Sequence, residues 1–113
     1  MIFSANVCDD AIKACIEAVG TERLLFGTDL PIAYMRMYRI VENGVYYNVV
    51  PRGLYGEVSK EPHMRETDES TVTLMVYEQL RALKRVATEL KLTDAQIENI
   101  MYLNAKKLFE SVK

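Results

Sequence analysis

The sequence predicts an α/β fold, and three observations lead to that prediction. Leu24-Leu25-Phe26 is a continuous apolar run, as expected for a parallel strand that is covered on both faces. A short helical pattern precedes this run, so that strand, helix and strand make a βαβ unit. A longer helical pattern, from about residue 70 to residue 90, is the strongest periodic signal in the chain.

The predicted βαβ unit begins at the N-terminus. Residues 2–7 are partly alternating, which suits a strand or the last part of one that begins upstream of the chain. Asp9 or Asp10 is predicted to cap the following helix, because a carboxylate accepts hydrogen bonds from the free N–H groups there. This helix should run to about Val19, since Gly20 is a natural helix stop.

Asp29 lies just after the second strand, at the end where the functional residues of βαβ units gather. Gly27 and Thr28 let the backbone approach other groups closely, and Pro31 prevents the strand from continuing. From spacing alone, an Asx-turn or a helix cap is the plainer interpretation of Asp29. A catalytic carboxylate is the alternative, and both stay open at this point.

Between residues 32 and 68 no clean period holds, so we predict a long irregular loop. Residues 35–41 are compatible with a helix, and Asn43-Gly44 is a turn signal. Five of the seven tyrosines lie between residues 34 and 55, which favours a substrate-facing lid or a subunit contact. These five are Tyr34, Tyr38, Tyr46, Tyr47 and Tyr55.

The same loop contains the candidate substrate-binding residues Arg36, Arg39, Arg52 and Tyr55. Guanidinium groups form bidentate pairs with carboxylates, so these arginines would suit a substrate that carries one. A compact insertion with solvated arginines is the alternative. His63 is expected to be a solvated loop residue rather than a metal ligand.

Three helices are predicted after the loop. The first spans about 70–90 and has its apolar residues on one face. Thr93 and Gln96 form a capping box at the start of a second helix, about 94–103, and a third spans about 105–112. The basic residues of the long helix are expected on its solvated polar face; they are Arg81, Lys84 and Arg85.

Composition and charge exclude several classes of protein. Half of the 113 residues are hydrophobic and the net charge is −2, without a basic stripe of the kind that binds nucleic acid. No apolar run approaches the roughly 20 residues of a membrane span, and no signal peptide is apparent. Cys8 and Cys15 lack the spacing of a zinc site and are expected to be core thiols. We therefore expect a soluble, cytoplasmic protein with no nucleic-acid or membrane partner.

Two segments carry a resemblance to a known family. Residues 19–31 read VGTERLLFGTDLP, and residues 97–109 read IENIMYLNAKKLF. The first resembles the last-strand signature of the amidohydrolase-related TIM-barrel hydrolases, and the second is similar to the C-terminal helix segment of that family. Both occur in the family's order and flank a variable loop and a long helix.

The resemblance implies that residues 1–113 are the C-terminal segment of an amidohydrolase-like domain, containing the last strand-helix units of a (β/α)8 TIM barrel. Such a segment is expected to be mostly helical as an isolated chain. Asp29 would then be the active-site aspartate of a metal-dependent hydrolase, binding or facing a divalent metal, zinc or manganese, in the complete barrel. The family's other metal ligands are absent from this chain, so the isolated chain is expected to be inactive and to hold no metal.

The complete enzyme is expected to act on a small-molecule substrate. A decarboxylase or other lyase on the same barrel is one alternative, and a non-catalytic helical module that binds a protein partner is another. For the isolated chain we expect self-association, because buried-type strands would leave open edges that tend to pair between copies.

Overall fold

The N-terminal part of the chain forms the predicted βαβ unit. The computed structural model describes residues 2–3 and 8–112. The unit consists of strand β1 (Ile2–Phe3), helix α1 (Asp9–Val19) and strand β2 (Leu25–Phe26). The two strands are parallel, with Ile2 opposite Leu25 and Phe3 opposite Phe26. This pairing confirms the parallel strand; residues 4–7 of the predicted first strand lie outside the described residues.

Helix α1 ends where the sequence predicts but begins differently. Gly20 donates its N–H to the Ile16 carbonyl at 2.9 Å, which closes the last turn, and its φ of 75° then stops the helix. At the other end Cys8 is the N-cap residue, and no side chain makes a capping hydrogen bond. Asp9 and Asp10 therefore lie inside the first turn, where their negative charges interact favourably with the positive end of the helix dipole.

The prediction of an irregular loop from 32 to 68, with a helix at 35–41, is wrong. After a 3₁₀ turn, the segment forms a three-stranded sheet in the order β3-β4-β5. Its strands are β3 (Tyr38–Glu42), β4 (Val45–Pro51) and β5 (Met64–Thr67). Strands β3 and β4 are antiparallel, and β5 is parallel to β4. Asn43 and Gly44, with φ of 51° and 77°, make the predicted turn as a two-residue hairpin loop.

The C-terminal half of strand β4 shows no alternating sequence pattern, because it is covered on both faces of the sheet. Its neighbouring residues Val49 and Val50 are both buried, although their side chains point to opposite faces of the sheet. An alternating pattern appears only when one face of a strand is solvated. The sheet therefore belongs to the packed body of the protein.

The three predicted helices are present, with shifted boundaries. They are α2 (Met75–Glu89), α3 (Asp94–Glu98) and α4 (Asn104–Ser111), and a π-helical turn (Asn99–Leu103) joins the last two. The capping box is confirmed: Gln96 N donates to Thr93 Oγ1 at 3.3 Å, and Thr93 N donates to Gln96 Oε1 at 2.9 Å. Helix α2 begins five residues later than predicted, because Leu74 forms a β-bridge with Arg36.

Two apolar clusters connect these elements. The first joins α1, the residue just before β2, α2 and the π-helical turn; its buried members are Ile12, Ile16, Leu24, Ala82, Leu83, Val86 and Ile100. The second joins the three-stranded sheet to the start of α2; its buried members are Ala33, Met37, Val50, Val58 and Met75. Cys15 packs at the edge of the first cluster and is half-buried rather than a core thiol. The start of α2 thus lies between the βαβ unit and the sheet.

The described residues form a mixed α/β fold in which helices contain more residues than strands. This agrees with the predicted fold class at that level, while the three-stranded sheet makes the chain less helical than expected. Across residues 2–3 and 8–112, no helix is both long and apolar enough to cross a bilayer.

Candidate functional site

Asp29 lies where the sequence places it, in the loop that follows the carboxyl end of β2. It is exposed and has a φ of 56°, in the left-handed region that aspartate tolerates better than most residues. Its carbonyl oxygen accepts a hydrogen bond from Ala33 N at 3.4 Å, and a cis Leu30–Pro31 bond follows. Within the described part of the chain, no hydrogen bond to the Asp29 carboxylate occurs, and the next helical turn has no side-chain cap. The carboxylate therefore serves there neither as a helix cap nor in an Asx-turn.

Two buried amide side chains hold the backbone on either side of β2, the strand that precedes Asp29. Gln79 on α2 donates from Nε2 to the Gly27 carbonyl at 2.9 Å. Asn104, at the start of α4, donates from Nδ2 to the carbonyls of Thr21 at 2.8 Å and Leu24 at 2.7 Å. These contacts attach residues 21–27, which contain β2, to α2 at one end and to α4 at the other.

Sequence reasoning missed both amides, although each left a signal. Gln79 falls within the apolar stripe of α2, where a polar residue predicts either a buried hydrogen bond or a break in the face. Asn104 interrupts the apolar pattern of the C-terminal helices for the same reason. A polar side chain on an apolar face needs a partner, and in this fold the partner is main chain from a distant element.

Arg36 and Tyr55, both predicted to bind substrate, lie next to each other in the structure. Both form hydrogen bonds with other groups of the protein. The Arg36 guanidinium donates to the Val72 carbonyl from Nε at 3.0 Å and from Nη2 at 2.7 Å. The Arg36 backbone N donates to the Tyr55 hydroxyl at 2.6 Å. These bonds tie the start of the sheet to the segment before α2.

The other two predicted arginines lie elsewhere on the sheet. Arg39 donates from Nε to Asn48 Oδ1 at 3.0 Å, and its guanidinium lies 4.2 Å from the Tyr46 ring centroid. Arg52 forms ion pairs with Asp68 at 2.6 Å and Glu66 at 3.2 Å. Arg36 and Arg52 border a shallow depression of about 340 Å³, whose lining does not include Asp29. Arg36 and Arg52 therefore share this depression with each other but not with Asp29.

The Arg52–Asp68 ion pair leads to a testable prediction about the pKa of Asp68. The hydrogen bond and the charge of Arg52 lower the pKa of Asp68 below its ordinary value. The contact thus stabilises the folded state at pH values above the pKa that Asp68 has in the unfolded chain. This stabilisation is lost as the pH falls through the lower pKa that Asp68 has in the folded protein. Arg52→Gln is expected to raise the pKa of Asp68 back toward the ordinary value, as measured by an NMR titration of its carboxyl carbon.

Lys60→Gln is the control for that titration, because Lys60 pairs with Glu57 at 3.6 Å and not with Asp68. The control should leave the pKa of Asp68 unchanged. An Asp68 pKa that is the same with and without Arg52 would contradict the assigned cause.

His63 lies in a turn just before β5, as predicted for a loop residue, but its ring is half-buried rather than fully solvated. Its ring stacks on Tyr46 with centroids 4.2 Å apart, and Nδ1 lies 2.9 Å from the Tyr46 carbonyl oxygen. The side chain is half-buried because it packs at the start of β5, beside the central strand. In residues 2–3 and 8–112, no three His, Cys, Asp or Glu side chains are grouped closely enough to hold a metal ion.

A polar cavity of about 350 Å³ lies between α1, α2 and β3, and its charged walls pair with one another. Arg85 forms a bidentate pair with Asp9, with N···O distances of 2.6 and 2.8 Å. Tyr38 donates its hydroxyl to Glu69 at 3.2 Å; burial, and next the Glu69 charge, raise the pKa of Tyr38. Arg81 pairs with Glu78 at 3.0 Å on the same exposed helix face. The contacts around this cavity join α1 to α2, and β3 to the segment before α2. The basic face of α2 is solvated, and its residues Arg81 and Arg85 form ion pairs there.

Comparison of the chain with models of protein families, with curated proteins and with solved structures found no match.

Proposed function

We propose that this chain is the C-terminal part of a metal-dependent hydrolase of the amidohydrolase type, with Asp29 as its last-strand active-site aspartate. One observation carries the proposal. The Asp29 carboxylate follows the parallel strand β2, is exposed, and has no hydrogen-bond donor among the described residues. A carboxylate in that position is available to a metal ion, a water molecule or a substrate.

Strands β1 and β2, with helices α1 and α2, are the last two strand-helix units of a (β/α)8 barrel in this proposal. Parallel sheets occur almost only with both faces covered, and a sheet of two short strands is marginal by itself. The β1–β2 pair is therefore expected to be extended by further strands. The three-stranded sheet, which lies between β2 and α2 in the chain, would be an insertion in the loop at the carboxyl end of a barrel strand.

The metal would need ligands beyond the described residues, because a catalytic zinc usually has three protein ligands. Asp29 would supply one of them, and a carboxylate oxygen suits zinc or manganese. The metal, when bound, would supply Lewis acidity toward the substrate. Asp29 itself would orient the attacking water and accept its proton, which is the role of a general base.

The substrate in this proposal is a small molecule, and its contacts are not the arginines of the sheet. Arg36 and Arg52 are engaged with Val72 and with acidic neighbours, respectively. Releasing Arg36 would remove two hydrogen bonds from the Val72 carbonyl, and releasing Arg52 would break its ion pair with Asp68. The substrate contacts are expected on the barrel side of Asp29.

In the complete barrel, Asp29→Asn is expected to lower turnover by about 100-fold or more, because an amide cannot accept the proton of the attacking water. Asparagine tolerates the left-handed backbone, so the fold should be retained. The measurements are hydrolysis of a panel of chromogenic amides and esters, metal content by mass spectrometry, and the thermal midpoint.

Asp68→Asn is the matched control, since Asp68 is also an exposed aspartate but pairs with Arg52 in the sheet. This variant should keep its turnover and its metal. Full turnover in Asp29→Asn would remove Asp29 from catalysis and would overturn the proposal.

A further inference from the structure

The loop that follows β2 is attached to helix α2 at both of its ends. This loop, residues 27–35, is called the β2 loop below. At its start, Gln79 donates from Nε2 to the Gly27 carbonyl at 2.9 Å. At its end, Met75 donates its backbone N–H to the Met35 carbonyl at 2.7 Å. The two donors are one helical turn apart, so a single turn of α2 holds both ends of the loop.

Helix α2 can support the β2 loop because it is packed into both apolar clusters. Met75 belongs to the second cluster, and Ala82, Leu83 and Val86 belong to the first. The far part of the loop is itself in the second cluster, since Ala33 has no exposed surface. Groups that are locked by packing hold a site more precisely than groups on a free loop. Packing therefore holds the far end of the loop, and a hydrogen bond holds the near end.

Asp29 lies close to the near end of the β2 loop. It follows Gly27 by two residues and its side chain is exposed. The hydrogen bond that its carbonyl accepts from Ala33 N is long, at 3.4 Å. The bond from Gln79 to Gly27 is shorter, and it fixes the backbone from which the Asp29 side chain extends.

Gln79 is a polar residue on the buried face of α2, where it is only 1% exposed. The other buried residues of this helix are apolar. Burying a side-chain amide carries a desolvation penalty that its hydrogen bonds must offset. Methionine is also long and unbranched and would fill this place without that penalty. A buried amide here thus favours a role beyond filling volume, and the group that it binds is the backbone beside Asp29.

We propose that Gln79 is a positioning residue for Asp29. Its amide fixes the backbone at Gly27, and thereby the direction in which the Asp29 carboxylate leaves the end of the strand. This inference rests on the proposed hydrolase function and deepens it, because Gln79 acts through Asp29 and touches neither metal nor substrate. Groups that support a metal ligand from behind contribute about 10–100-fold to metal affinity or activity.

The first test follows the β2 loop in the 113-residue chain and needs no activity. Gln79→Met is expected to lower the backbone order parameters of residues 28–30, measured by ¹⁵N relaxation, from about 0.85 to below about 0.6. The reason is that the near end of the loop loses its hydrogen bond to α2. In the parent chain, the Nε2 protons of Gln79 should exchange slowly with solvent, which checks the bond even where the variant does not fold.

Asn104→Ala is the matched control for the loop measurement. Asn104 is also a buried amide that binds main chain, but its acceptors, Thr21 and Leu24, lie before β2. This variant should leave the order parameters of residues 28–30 unchanged. Equal loosening of these residues in both variants would overturn the proposal, because general destabilisation would explain it. Unchanged order in Gln79→Met, or rapid exchange of the Nε2 protons in the parent chain, would overturn it as well.

The second test measures turnover in the complete barrel. Gln79→Met is expected to lower kcat about 10–100-fold with little change in KM, because the carboxylate is misplaced while the substrate contacts remain. In a protein that already carries Asp29→Asn, the same replacement should lower kcat no further. A similar loss of kcat in both backgrounds would overturn the proposal, because Gln79 would then act through another group.

Failure of the positioning role can be distinguished from failure of the hydrolase function. Full turnover in Asp29→Asn would overturn the hydrolase function, and the positioning role would fall with it. A protein that Asp29→Asn inactivates, but that keeps full turnover in Gln79→Met, would retain the hydrolase function and overturn the positioning role alone.

Discussion

Replacing Asn104 by alanine is expected to lower the free energy of unfolding by about 2–4 kcal/mol. The Asn104 amide is buried and donates to the carbonyls of Thr21 and Leu24. Alanine removes both hydrogen bonds and leaves two carbonyls without a donor in a place that water reaches poorly, at roughly 1–2 kcal/mol each. Urea unfolding followed by circular dichroism measures the change.

Asn99→Ala is the control for this prediction. Asn99 lies in the π-helical turn just before, and no side-chain hydrogen bond of Asn99 occurs within the described residues. Its replacement should change stability by less than about 0.5 kcal/mol. Equal losses of stability at positions 99 and 104 would show that the buried hydrogen bonds of Asn104 do not set the result.

Replacing Leu24 by alanine is expected to lower the free energy of unfolding by about 2–5 kcal/mol. Its side chain has no exposed surface and lies in the first apolar cluster, between α1, α2 and the π-helical turn. Alanine removes three carbon atoms, and the surrounding helices cannot fully close the cavity that remains. The same unfolding measurement applies, with the m-value compared to confirm two-state behaviour.

Leu54→Ala makes the same chemical change in a turn, where the leucine side chain is 47% exposed. It should cost less than about 0.5 kcal/mol. Similar losses for Leu24 and Leu54 would contradict the assignment of the first cluster as the core. Because the Leu24 carbonyl also binds Asn104, the effects of changing both residues are expected to be non-additive.

The elements predicted correctly from the sequence are those with local signals. Gly20 ends α1, an apolar run marks β2, and a hydroxyl and an amide three residues apart start α3. Each signal depends on groups within a few residues of one another. The parallel pairing of β1 with β2 also follows, because a helix between two strands requires that connection.

The three-stranded sheet and the roles of its arginines were not predictable in the same way. Strand β5 pairs with β4 across an irregular connection, and no local pattern specifies that register. The Arg36 guanidinium binds a carbonyl 36 residues away, so a residue that suits a substrate carboxylate is used for packing instead. Asp29 was placed correctly at the end of its strand, because its position depends only on the strand before it.

The left-handed backbone at Asp29 restricts which side chains that position can accept. Most residues pay about 1–2 kcal/mol for this conformation, whereas glycine, asparagine and aspartate adopt it readily. Glutamate carries the same charge but lacks this tolerance, so it cannot replace aspartate without strain. Random substitution at position 29 followed by selection for folding alone would therefore favour Gly, Asn and Asp. Of these three, only aspartate keeps a negative charge at the end of the strand.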